Sequence, residues 1–423
     1  MFEMVGSGIN LQDEAALVTG IAELERLKSQ AAATQARLAA QLATVRHDAE
    51  VAAGVPVARR GRGLAAEIAL ARHDSPNRGN RHLGFAQALV HEMPHTLAAL
   101  EAGALSEWRA TLIVRESACL DVDDRAALDA ELCADPAALE GLGDGRIAAA
   151  AKAIAYRLDP HAVVDRAVKA EADRCVTIRP APENMVYLTA LLPMAKGVSV
   201  YAALRRAADT CGDGRGRGQV MADTLIERIT GRPAATPEPI AVNLVLSDET
   251  LTGGNDPAVM PGFGPVPADI ARRLIGAALD SPEVRATLRR LYARPDSGAL
   301  VAMESKARLF PKGLARLIGL RDHTCRTPYC DAPIRHNDHI DPAGHGGPTS
   351  ERNGQGLCEA CNHNKQADGW NVTAIDNARH TTDIATPTGH HYRSTAPPIL
   401  PGRKPFSPME KSLSQTLRER HAA

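Results

Sequence analysis

Along the first third of the chain, apolar side chains return every three or four residues, the period of helices that bury one face. From Asp13 to Val45 the sequence is alanine-rich, and Leu17, Ile21, Leu24, Leu38 and Leu42 recur at helical spacing with no intervening proline, which predicts one long helix. A basic, glycine-bearing break follows at Arg59–Gly63. Further helices are predicted over Leu64–Arg72, Leu83–Val90, Ser106–Cys119, Asp123–Leu132 and Gly145–Leu158. Ser75-Pro76, Pro94, Gly103 and Asp135-Pro136 punctuate them as turns or helix starts. Residues 1–170 therefore read as all-helical.

Near Ala170 the periodicity changes. Cys175–Arg179 and Met185–Leu192 are β-rich runs around a Pro/Asn-containing turn, the pattern of a hairpin. Helices are predicted over Val198–Thr210, Gln219–Ile229, Pro267–Leu279 and Pro282–Tyr292, and a strand over Ile240–Leu246. The chain is thus expected to be a multi-domain protein. A mainly α-helical N-terminal region (1–170) and a mixed α/β middle (171–304) precede a C-terminal domain (305–395) and a Pro-rich tail (396–423). In the tail, Met409, Leu413 and Leu417 have the spacing of a short amphipathic helix. Trp108 and Trp370 read as core residues.

Composition narrows the function. Of the 423 residues, 44% are hydrophobic and 23% charged, as in an ordinary globular protein and not a disordered chain. Aromatic residues make up only 3%, which argues against a reader of single strands that stacks bases on exposed rings. The net charge is −1, so no global basic character points to nucleic acid. Residues 304–423, however, hold 16 basic and 12 acidic side chains, and the remainder 33 and 38. Nine of the 15 histidines and four of the eight cysteines also lie after Glu304. No signal-like or membrane-spanning run is evident, so the expected location is the cytoplasm, with no membrane partner. There closely spaced cysteines bind metal more often than they form disulfides.

Two motifs are decoys. His91-Glu92-Met93-Pro94-His95 has the HExxH spacing of zinc proteases, which needs both histidines one helical turn apart. Pro94 breaks that turn by clashing with the carbonyl of Val90 and pushing Met93 out of helical geometry. The Gly212–Gly218 loop resembles a phosphate cradle only in its glycines, since it lacks the Lys-Ser/Thr pair and the strand-to-helix context.

The informative stretch is Cys325–Trp370. Cys325 and Cys330 enclose four residues, and Cys358 and Cys361 enclose two. Two such pairs can surround one tetrahedral Zn²⁺ with four thiolates, a closed set that makes the metal structural. Beside them stand Asp338, His339, Asn353, Asn362 and His363, on what reads as an extended segment, a polar loop and a short helix over Leu357–Gln366. Carboxylate and amide oxygens suit Mg²⁺ or Mn²⁺, and a neutral imidazole can take a proton from water. Together they suit phosphodiester hydrolysis.

At these residues the chain resembles the HNH endonuclease family with its ββα-metal fold. His339, Asn353 and Asn362, framed by the two cysteine pairs, carry the likeness. The resemblance implies that His339 is the general base, that Asn353 orients its ring through a hydrogen bond, and that Asp338 and Asn362 hold the catalytic Mg²⁺ or Mn²⁺. Many members have histidine at the Asn362 position, so His363 is the alternative ligand; Lys365, three residues on, favours Asn362. Arg321, Arg326, Arg335, Arg352 and Lys365 are candidates to grip the DNA backbone. Upstream, Glu67–Gly79, Leu89–Ser117 and Met221–Gly231 resemble the actinobacterial 13E12-repeat family, in which a domain of unknown function (number 222) precedes an HNH domain. The expectation is a metal-dependent endonuclease acting on DNA, double-stranded by preference. The alternative is a zinc-stapled DNA-binding protein that does not cut.

Overall fold

The computed structural model describes residues 13–235, 244–280 and 309–400. The chain divides into two compact units, Met1–Ala170 and Glu171–Ala423.

The first unit is helical throughout its described length. Helix α1 (Glu14–Ala52) begins where the Asp13 carboxylate accepts from the Ala15 amide, satisfying one of the donors that a helix start leaves open. Helices α2 (Leu64–Ala71), α3 (Gly79–His91), α4 (Pro94–Ala102), α5 (Glu107–Ser117), α6 (Val122–Cys133), α7 (Asp144–Leu158) and α8 (Pro160–Ala170) follow. Their core is built from Leu89, Met93, Leu97, Leu100, Leu105, Ile113, Leu128, Leu139 and Ile147. Truncating one such leucine to alanine costs roughly 2–5 kcal/mol. Pro94 starts α4 after a non-helical Met93, so His91 and His95 stand on different helices and the HExxH spacing has no helical meaning here.

Two features of this unit differ from a simple reading of hydrophobicity. Helix α1 packs on α3 and α4 through Ser29, Ala32, Ala33, Ala36 and Ala40, while Leu17, Ile21, Leu24 and Leu38 are exposed. Alanines let the neighbouring helices approach closely, and the larger side chains fall on the other side. Trp108, expected in the core, is 55% exposed, and its indole N–H donates to Asp144. Elsewhere a buried carboxylate takes over a capping role. Asp129 of α6 accepts from the amides of His95 and Thr96 and from the Thr96 hydroxyl, closing the start of α4 from a neighbouring helix. Gly79 is required where α3 meets α2, since a Cβ there would lie 2.0 Å from the Ala65 carbonyl oxygen.

The second unit opens with an antiparallel hairpin, β1 (Cys175–Pro180) and β2 (Val186–Leu191), and then helices α9 (Met194–Thr210) and α10 (Arg217–Thr230). Of the expected strand Ile240–Leu246, residues 240–243 lie outside the described residues, and Val245 forms an isolated bridge to Val259. A short hairpin, β3 (Ala258–Met260) with β4 (Gly264–Val266), leads into α11 (Ala268–Asp280). The helix expected over Pro282–Tyr292 and the tail helix at Met409–Leu417 also lie outside the described residues.

Helix α12 (Lys312–Asp322) comes next. An antiparallel pair, β5 (His336–His339) and β6 (Gly354–Leu357), is followed directly by α13 (Glu359–Lys365). Sequence reasoning placed Leu357 in that helix; it is instead the last residue of β6. Three further strands, β7 (Asn371–Ile375), β8 (Thr381–Ala385) and β9 (His391–Thr395), form a meander that the sequence reading did not anticipate. Val372 and Ile384 from this sheet pack with Ile340, just beyond β5, and with Trp370. The meander thereby backs the two-stranded site.

Candidate active site and zinc centre

The strand β6 is held by a buried ion pair. Arg321 donates to both oxygens of Asp322 and to the carbonyls of Glu351 and Gly354, and Asp322 accepts from the Gly356 amide. A buried guanidinium is tolerated because every face of it meets an acceptor. Arg326 is likewise buried and donates to the carbonyls of His380 and Ser394. Both arginines were expected to grip DNA, and this corrects that expectation: both are buried, Arg321 donating to Asp322 and to two backbone carbonyls and Arg326 to two backbone carbonyls. Arg335 and Arg352 are exposed.

The four cysteines converge. Cys325, Cys330, Cys358 and Cys361 are all buried and free, and their sulfurs lie within 4.8 Å of one another. Cys330 Sγ is 3.8 Å from Cys358 Sγ and 3.7 Å from Cys361 Sγ. A tetrahedron of sulfurs about 2.3 Å from a zinc ion has edges of about 3.8 Å. The donor set therefore fits structural zinc in both chemistry and size. Hydrogen bonds from Cys325, Cys330 and Cys361 pull the Cys358 thiol below its ordinary range, while the same crowding pushes Cys330 and Cys361 up, so a cation is what would let all four become thiolates. Cys358 also caps α13, accepting from the Cys361 amide.

In β5, Asp338 and His339 are adjacent and so point to opposite faces. The His339 ring lies against Phe310, with centroids 4.4 Å apart, and its Nε2 is 2.9 Å from the Thr349 hydroxyl. Burial lowers its pKa, opposed by Asp338 and aided by Lys365, which favours the neutral ring. With Nε2 engaged, Nδ1 is the ring nitrogen left for another partner.

Asn353 does not bond to that ring, contrary to expectation. Its amide donates to the carbonyls of Asp341 and Pro348, and its oxygen accepts from the Asp341 amide. With all three bonds spent on backbone, it fixes the loop that returns from β5 to β6. Gly347 belongs to the same closure, because a Cβ there would sit 1.9 Å from the Asp341 carbonyl oxygen. Thr349, at the end of this loop, is the residue that meets His339. Its role had no sequence signal beyond its place in the loop.

Asp338 Oδ2 accepts from Lys365 Nζ at 2.6 Å and from Gln355 Nε2 at 3.3 Å, while Oδ1 takes part in neither bond. Lys365, another expected DNA contact, is thus turned onto the carboxylate and the His339 carbonyl. Gln355 was missed, although it stands directly opposite Asp338 in the strand register. On α13, Asn362 Oδ1 is buried without a hydrogen-bond partner. An orphaned carbonyl oxygen of this kind is what a hard cation would satisfy. His363, next to it, is exposed. His336 and His345 are exposed as well.

Comparison with known proteins identifies two regions. A family model described as Domain of unknown function (DUF222) matches residues 21–322, and one described as HNH endonuclease matches residues 325–368. No curated protein and no solved structure matches the chain. The second match spans both cysteine pairs, β5, β6 and α13. Among the described residues, no helix is long and apolar enough to cross a membrane.

Proposed function

This chain belongs to the DUF222 family, and from that membership together with its HNH endonuclease match we propose that it is a divalent-metal-dependent endonuclease cutting DNA, double-stranded by preference, in the cytoplasm. The observation that carries the reading is the unpartnered, buried Oδ1 of Asn362, in a domain where Asp338 keeps one carboxylate oxygen out of its bonds to Lys365 and Gln355. Those two oxygens would hold Mg²⁺ or Mn²⁺. When bound, such an ion supplies positive charge that offsets the scissile phosphate and the leaving 3′ oxygen.

The chain's own residues supply the rest. His339 is the general base: its Nδ1 takes a proton from water as the water oxygen attacks phosphorus and the P–O3′ bond breaks. In the tautomer this role needs, Nε2 carries the hydrogen and would donate it to the Thr349 hydroxyl 2.9 Å away, leaving Nδ1 free. Asn353 is a positioning residue that sets the loop bearing Thr349. Arg335 and Arg352, both exposed, are the remaining candidates for contact with the DNA backbone. Zinc on the four cysteines would hold α13, and with it Asn362, against β5.

The test is plasmid cleavage by the purified protein. Nicking or cutting should need Mg²⁺ or Mn²⁺, stop with chelator, and vanish in His339→Ala with the fold unchanged. DNA binding with no cleavage under any divalent ion would support the zinc-stapled binding protein instead.

A further inference from the structure

We infer that α1 carries a coiled-coil seam through which the protein pairs with a second copy of itself, the two α1 helices lying antiparallel. The helix has two apolar faces. One is the alanine face against α3 and α4, comprising Ser29, Ala32, Ala33, Ala36 and Ala40, of which Ala32 lies nearest the second face. The other repeats in sevens. Leu17, Leu24, Ala31, Leu38 and Val45 are each seven residues apart, and Ile21, Lys28, Gln35 and Leu42 interleave with them at alternating steps of four and three. That is the spacing of the a and d positions of a heptad.

Among the described residues of its own unit, the large apolar side chains of this seam are mostly uncovered. Ile21 is 69% exposed, Leu38 66% and Val45 56%, while Leu17 and Leu24 are exposed to a lesser degree. At about 100° per residue the seam centres roughly 135° around the helix from the alanine face, so a partner helix can dock on the side away from α3 and α4.

The pattern favours another long helix over a groove or a small ligand, because a 3.5-residue period keeps a stripe aligned only along a partner that coils with it. Its size suits a dimer. From Leu17 to Val45 the seam runs about 42 Å, and half the circumference of a helix about 10 Å across gives roughly 700 Å² per copy. A stable interface uses roughly 800 Å² per partner.

Charge selects the partner. Coiled coils choose unlike partners through opposite charges at the flanking e and g positions. Here those positions are Val18, Glu25, Ala32, Ala39 and Arg46 on one side and Gly20, Leu27, Thr34 and Gln41 on the other. The two charged ones are already paired within the chain, Glu25 with Lys28 and Arg46 with Glu67. Nothing remains to specify a different helix, and nothing repels an identical one. Lys28 sets the orientation. A parallel pair would place Lys28 against its own copy, whereas in an antiparallel pair an a position faces a d position, which is apolar throughout this seam.

Sedimentation velocity on the full zinc-loaded chain tests the inference. The wild type should be dimeric at micromolar concentration. Leu24→Glu with Leu38→Glu should raise the dissociation constant at least about a hundredfold while leaving the melting temperature of the diluted protein unchanged, and Lys28→Leu should tighten pairing about tenfold. A nitroxide on Ile21→Cys, with Cys119, Cys175 and Cys211 replaced by serine, should report a separation of tens of ångströms, since antiparallel helices carry the two labels toward opposite ends. A wild type monomeric at all concentrations would overturn the inference. So would a dimer indifferent to the two glutamates, or labels in close contact. If the wild type is monomeric and the glutamates lower its melting temperature, the seam is covered by the chain's own remaining segments, which also refutes the pairing. None of these outcomes depends on cleavage.

Discussion

Lys365 Nζ lies 2.6 Å from Oδ2 of Asp338, on the same carboxylate oxygen that accepts from Gln355, which leaves Oδ1 as the open oxygen of the proposed metal ligand. The carboxylate is therefore held in one orientation from behind. Lys365→Met should lower plasmid cleavage about 10–100-fold, the usual cost of losing the partner of a ligating group. Zinc content and melting temperature should stay as in the wild type. An unchanged rate at limiting Mn²⁺ would remove Lys365 from the machinery.

Thr349 offers a finer test of the base. Thr349→Val keeps the shape of the side chain and removes the hydroxyl that meets His339 Nε2. Cleavage should fall about tenfold, the order expected when general-base efficiency drops in part. His339→Ala should remove cleavage altogether. If the valine variant cuts at the wild-type rate, the ring is oriented by something other than Thr349.

The zinc centre should be measurable by mass spectrometry or atomic absorption as about one zinc per chain. Cys358→Ser removes a ligand and weakens the cap of α13, so the C-terminal domain should lose its zinc and melt at lower temperature. The helical unit should keep its far-ultraviolet signal. A zinc-free preparation with an unaltered melt would refute the four-cysteine site.

Acid should weaken the C-terminal domain through His380. Its Nδ1 is buried without a partner, Nε2 lies 3.0 Å from the Arg352 carbonyl oxygen, and burial, with Arg321 nearby, pushes its pKa down to about 4. The unfolded chain takes up its proton near pH 6.5. Between these values the unfolded state binds more protons than the folded one, so stability falls as pH drops, by at most about 1.4 kcal/mol per unit. His380→Gln should flatten denaturation midpoints measured between pH 7 and 5. A slope equal to that of the wild type would assign the acid sensitivity elsewhere.

The four-cysteine cluster of the candidate site was legible because its chemistry is written in spacing. Cys325, Cys330, Cys358 and Cys361 announce a tetrahedral set, and Asp338-His339 followed by Asn362 gives a strand and a helix with metal-type donors. Burial was harder to read. Arg321 and Arg326 look like DNA contacts in a basic segment, yet each is swallowed by carbonyls from residues about 30 to 70 positions away, which no local pattern reports. Helix α1 shows the same limit. Its leucine spacing predicts a helix correctly, but two apolar faces compete and only tertiary packing chooses the alanine one. The meander β7–β9 has alternating strands that sequence reasoning passed over, because the cysteine and histidine constellation ends at Trp370.

Helix α13 holds a last consequence. It is 7 residues long, far below the roughly 12–15 at which an isolated helix becomes even marginally stable in water. Its first turn contains Cys361, its cap is Cys358, and its remaining turn presents Asn362 and Lys365. The groups that would anchor a structural ion and those that would serve the cutting chemistry are thus successive positions on one short coil. An oxidant or chelator that takes the thiols would therefore dismantle the proposed cutting site without touching His339.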